Sequence, residues 1–174
     1  MRYCLICTLF ALVLLCLPPA FAQPATAVHV CVANLEGAGG GVSPTASRDA
    51  LIKFLSKQKN LQLEVAPLNA AGPNDALAEA RERKCDYVVT TNLVELHSDL
   101  SRSPPVAGTT PVDTQVFHVT VDYKLNKVSD GAEASNGSFK ASDQGSPQNA
   151  TVAALRKVAD KVADSIKKAG APAK

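Results

Sequence analysis

Cys85 to Val94, CDYVVTTNLV, is the stretch on which the fold turns. It is rich in β-branched residues and reads as the clearest strand of the chain. Working back, Asn74 offers an N-cap to a helix with Leu77 and Ala80 inward and Glu79 four residues before Arg83. Gly72-Pro73 separates that helix from the alternating strand Leu61-Gln62-Leu63-Glu64-Val65. Further back lies a helix extending to about Lys57, with Ser43-Pro44 at its start and Ala46, Ala50, Leu51, Phe54 and Leu55 on one face. The apolar run Val28 to Leu35 opens the series as a strand. Three strands alternating with two helices dictate a parallel start with right-handed crossovers.

Forward of Val94 the pattern changes. Ser98 to Thr114, with Pro104, Pro105 and Pro111, reads as a long loop. Phe117, Val119, Val121, Tyr123 and Leu125 then alternate with polar neighbours, a strand with one covered and one wetter face. Ser129-Asp130-Gly131 supplies a turn, and Glu133 to Ser142 a weaker strand that pairs back as a hairpin, with Phe139 inward. A long amphipathic helix, about Gln148 to Lys168, carries the stripe Val152, Leu155, Ala159, Val162 and Ile166. The expectation is one α/β domain of order β-α-β-α-β-β-β-α, its mixed sheet parallel at the start and antiparallel in a C-terminal hairpin.

The first 22 residues stand apart. Arg2, the apolar run Cys4 to Leu17, Pro18-Pro19 and Ala20-Phe21-Ala22 have the layout of a signal peptide cleaved before Gln23. Fourteen apolar residues are short for a membrane span, which needs roughly 20, and Leu15 before Cys16 does not suit a lipoprotein signal. The domain is therefore 23–174, periplasmic or secreted, with no transmembrane helix once the segment is removed. Of 174 residues, 152 remain, with 17 basic and 16 acidic side chains. This near-neutral balance, the absence of Trp and the inward placement of most aromatics argue against a nucleic-acid binder or sugar-stacking platform. Cys31 and Cys85 suffice for one disulfide in such a compartment. Their strands are neighbours but are expected out of register for the Cα separation required, which favours two buried free thiols. Two sequons, at Asn136 and Asn149, matter only in a glycosylating pathway.

The strand VHVCVANLEG before a Gly-rich turn, ALAEARERKCDYVVTTNLVEL running from helix into strand, VTVDYKLNKVSDG and the AALRKVADKVADSI helix together resemble small α/β domains of bacterial envelope proteins. The similar families are the N-terminal domain of TolB and the periplasmic domain of CsgG, and the resemblance spans nearly the whole of 23–174. It implies a domain that binds envelope proteins or builds assemblies and is not an enzyme. The propeller, lipobox and pore-forming insertion of those families are missing here, so their particular tasks do not transfer.

No cofactor is expected. The turn Gly37 to Gly41 lacks a following Gly-Lys-Ser/Thr, Val42 stands where a dinucleotide motif has its third Gly, and Asn69 lies where an acidic residue would meet a ribose, leaving a flexible turn. No G-x-S-x-G elbow or Cys-His signature occurs. The first reading is an exported, non-enzymatic envelope protein that binds or assembles with envelope proteins. It would use the loop carrying Pro104, Pro105, Val106 and Pro111, and the open sheet edge, which also suits oligomerisation. The second is a secreted hydrolase or metal-dependent enzyme with a site near His97, Asp99 and His118, whose side chains can converge although their spacing matches no helical zinc motif, and no metal site is assigned. Glu95 with Asp99 is the candidate acid pair, at a strand end where charges ordinarily meet solvent.

Overall fold

The computed structural model describes residues 27–59, 61–102 and 113–170. Five strands, β1 (Val28–Val32), β2 (Leu63–Pro67), β3 (Tyr87–Arg102), β4 (Asp113–Lys127) and β5 (Glu133–Asp143), form one sheet in the order β2-β1-β3-β4-β5. β1 runs parallel to β2 and β3, whereas β3, β4 and β5 are antiparallel. Helices α1 (Pro44–Leu55), α2 (Pro73–Glu82) and α3 (Pro147–Lys168) complete the expected order. None of the described helices is long and apolar enough to cross a membrane.

The main core fills the face under α1 and α3. Val30, Val32, Val89, Val121 and Leu125 from the sheet meet Leu51, Leu55, Leu155, Val158, Val162 and Ile166, all fully buried. The stripe on α3 is broader than expected: Ala154 and Val158 are buried and Val152 is only half-buried. Ser43 and Ser146 cap α1 and α3, their hydroxyls accepting from the amides of Ala46 and Asn149. Asn74 is not a cap. Gly72 holds that position, and Asn74 lies in the first turn of α2.

A smaller core lies on the opposite face, where α2 sets Ala76 and Ala80 over Cys31, Ala33, Leu68 and Val88. Glu79 ties α2 to the end of β2, accepting from the amides of Asn69 and Ala70 at 2.9 Å each and pairing with Arg83 at 2.8 Å. The Ala70 amide is the chief cause that holds the Glu79 carboxyl below the usual carboxylate range, against the opposing effect of burial. Because the folded pKa is depressed, this stabilisation is present above the ordinary carboxylate pKa and disappears as pH falls through the folded value. Glu79→Ala is accordingly expected to cost about 1.5–3 kcal/mol at neutral pH, the scale of hydrogen bonds to a charged group. The gap from the unchanged protein should narrow in acid, as urea denaturation at pH 7 and pH 3 would show.

Cys31 and Cys85 are joined as a disulfide, with a Cα separation of 6.0 Å, which corrects the expectation of free thiols. The physical reason is that Cys85 is outside the β3 ladder, which begins at Tyr87. Lys84 adopts a left-handed conformation (φ 56°) and the Cys85 amide donates to Ala80 at 3.0 Å, so the chain turns under α2 before the strand starts. Strand register therefore places no limit on Cys85. The turn after β1 also differs from the flexible one expected: a Cβ on Gly37 (φ 65°) would stand 2.6 Å from the Leu93 carbonyl oxygen, because Glu36 bridges to β3 there.

A larger departure concerns the stretch read as a loop from Ser98. β3 continues to Arg102 and β4 begins at Asp113, paired rung by rung from His97↔His118 to Arg102↔Asp113. Polar residues that resemble a loop in isolation are held in strand because each has a ladder partner. Beyond Ser98↔Phe117 there is no third strand: β5 reaches only to Phe117↔Asp143, and β1 pairs with β3 only at Tyr87–Val89. The end of the β3–β4 pair is thus a two-stranded ribbon. One irregularity marks its approach, since Leu93 faces Val121 and Glu95 faces Thr120, leaving Val94 without a rung.

Candidate functional site

Pro104, Pro105, Val106 and Pro111, the residues expected to bind a partner, lie outside the described residues. The ribbon that leads to them is described. It presents Leu100 at 75% exposure, and Val94 at its approach is 56% exposed; these are the exposed large hydrophobics among the described residues.

At the base of the ribbon the sheet brings together the residues of the second reading. His97 and Asp99 are two apart on β3 and so share a face, and His118 stands directly opposite His97 on β4. The face is the one α1 and α3 leave uncovered, since Leu96 and Val119 of the neighbouring rung point into the main core. The two imidazoles stack with centroids 5.0 Å apart and an interplanar angle of 16°. Asp99 Oδ2 is 3.6 Å from His118 Nε2 and 3.9 Å from His97 Nε2. One ligand atom from each of the three residues lies within 4.8 Å of the others. A cleft of about 560 Å³ opens beside them, with Lys140 and Thr120 in its lining.

Glu95 is the member of this group whose role sequence reasoning missed. It was paired with Asp99 as a candidate acid, but it turns to His97 instead, with Oε1 3.4 Å from Nδ1. Its other oxygen accepts from the hydroxyl of buried Thr120 at 2.9 Å. That hydrogen bond is the main cause holding the Glu95 carboxyl below the usual range; burial opposes it, and the nearby charges of His97, Lys140 and His118 assist. The signal for Thr120 was its place on the wetter face of β4, two residues from His118. The rung joining it to Glu95 depends on the unpaired Val94, which sequence periodicity does not reveal.

His29 stays apart from this group, its Nε2 3.3 Å from Glu64 on β2. A cleft of about 670 Å³ beside Arg81, Asp86 and Lys127 is larger but gathers no comparable set of ligating groups. Chemically, the cluster offers two imidazoles and a carboxylate to a soft-to-borderline cation or to a partner's polar groups.

No family model matches the chain, and no curated protein matches it. Among solved structures it is similar to the PelC dodecamer from Paraburkholderia phytofirmans, at 18% identity and a TM-score of 0.54, over 78% of this chain and 88% of that one. It is also similar to the hypothetical protein CT253 from Chlamydia trachomatis, at 10% identity and a TM-score of 0.51, over 79% and 96% of the two chains. TolB from Acinetobacter baumannii matches more loosely, at 14% identity and a TM-score of 0.40, over 83% of this chain and 28% of that one. At these identities the likeness to PelC and CT253 is one of fold alone, a small mixed α/β domain.

Proposed function

We propose that this chain is an exported, non-enzymatic protein of the bacterial envelope that works by assembling, through its β3–β4 ribbon, with neighbouring copies or other envelope proteins. The observation that carries this reading is the ribbon itself. A two-stranded hairpin is marginal in water when nothing packs against it, yet this one continues past the sheet and exposes Leu100. A protein surface laid against it would bury that side chain and supply the missing third layer.

Other features agree with the reading. Residues 1–22 have the layout of an export signal, and a buried disulfide belongs to an oxidising compartment. The similar PelC is a dodecamer, so a domain of this fold can assemble with copies of itself. The segment with Pro104, Pro105, Val106 and Pro111 connects the two ribbon strands in sequence, and the partner contact is assigned to it together with the ribbon. The edge strand β5 offers a second contact by β-augmentation.

Sedimentation velocity or native mass spectrometry tests the self-assembly directly. The protein is expected to form oligomers, and Leu100→Asp to weaken association about tenfold or more, as when a charge replaces a buried anchor, with unchanged circular dichroism. A protein that is monomeric at every concentration and also fails to retain envelope proteins through residues 101–113 would overturn the reading.

A further inference from the structure

We propose that His97, Asp99 and His118 form a binding site for a divalent transition-metal ion of the zinc, copper or nickel class, clipping β3 to β4 at the base of the ribbon. The inference does not depend on the assembly reading.

Geometry comes first. Donors bonded to a tetrahedral ion at about 2.0–2.2 Å stand roughly 3.3–3.6 Å from one another. The pairs His118 Nε2–Asp99 Oδ2 at 3.6 Å and His97 Nε2–Asp99 Oδ2 at 3.9 Å are close to that spacing before any ion draws them in. His97 and His118 share one rung of an antiparallel ladder and Asp99 stands two residues further along β3 on the same face, so the backbone already places them. Their half-exposed tips have room to close the remaining distance by rotation about χ1 and χ2.

Orientation comes next. A metal-binding imidazole commonly gives its other nitrogen to a carboxylate, which fixes the tautomer. His97 has this arrangement: Glu95 lies 3.4 Å from Nδ1, leaving Nε2 directed at Asp99. Glu95 is in turn held by the Thr120 hydroxyl at 2.9 Å. A surface ion pair would not require such a relay from a buried hydroxyl through a carboxylate to an imidazole.

The chemistry of the donors supplies the third argument. A single divalent ion satisfies both nitrogens and Asp99 at once. Imidazole with one carboxylate suits zinc, copper(II) or nickel, whereas calcium and magnesium favour all-oxygen sets. Three protein ligands on an open sheet face leave a fourth position for water or for a side chain from a partner.

Isothermal titration of the untagged protein with zinc chloride is the test, with cobalt(II) absorption as a second readout. One ion per chain is expected, together with a visible cobalt spectrum that zinc abolishes and that calcium and magnesium leave alone. His118→Ala and Asp99→Asn should each weaken binding at least tenfold, and Glu95→Gln should weaken it less, while His29→Ala should leave it unchanged. Circular dichroism of each variant verifies the fold. Absence of binding, or full binding in the His97→Ala/His118→Ala double variant, would overturn the proposal. Repeating the titration with Leu100→Asp separates this result from the fate of the assembly reading.

Discussion

Replacing Cys85 with Ala is expected to lower folding stability by about 4 kcal/mol, the chain-entropy value for releasing a loop of this length. The bridge closes a sequence separation of 54 residues, which includes α1, β2 and α2. It joins the interior strand β1 to the turn before β3, so the unfolded chain loses much freedom when it is formed. For a domain of this size the loss corresponds to a fall in melting temperature of roughly 8–16 °C. The smaller core makes the effect local as well, because Cys31 and Cys85 line it with Ala33, Leu68, Ala76, Ala80, Val88 and Val128, a set with few large side chains. Thermal melts with and without dithiothreitol provide the check. The unchanged protein should drop towards the variant on reduction, and the variant should not respond. Two titratable thiols per chain in the unreduced, denatured protein from Gln23 onward would show that no bridge exists.

Leu155→Ala should destabilise by a comparable amount, about 3–4 kcal/mol, within the range for emptying a buried leucine site. Leu155 is fully buried in the middle of α3, one helical turn before the likewise buried Ala159. α3 is the longest described helix and covers β4 and β5. Its buried neighbours Val158, Val162 and Ile166 are held in a continuous core with Leu51 and Leu55, so little can move in to fill the space. Urea denaturation should show a lower midpoint with the slope preserved. A loss below about 1 kcal/mol, well short of the usual cost of such a truncation, would mean that α3 is not seated as described. Arg156→Ala, one residue further on and exposed, should have little effect by comparison.

Most of the fold was legible because its signals are local. The run from Tyr87 to Val94, the Ser43-Pro44 start of α1 and the apolar stripe of α3 each declare an element within a dozen residues. Ser98 to Arg102 could not be read that way. These residues have a loop's polarity, and only their pairing with Asp113 to Phe117 of the partner strand makes them a ribbon. The disulfide escaped for a related reason: the left-handed Lys84 carries no mark in the sequence, so Cys85 was assigned to a strand it precedes. The candidate site was half visible. Alternation put His97 and Asp99 on one face and His118 on the wetter face of the next strand, which was enough to suggest that they meet. That His97 stands directly opposite His118, and that Thr120 steadies Glu95, depends on the rung count between two distant segments.

Val94 gives that count a useful property. Because it occupies no rung, residues before and after it keep the faces they would have if it were not there: Leu93 and Leu96 look into the core, Glu95 and His97 away from it. What the unpaired residue changes is the path of the strand, since a bulge bends it and adds twist. The angle at which the ribbon leaves the body is therefore set separately from the identity of the groups it displays.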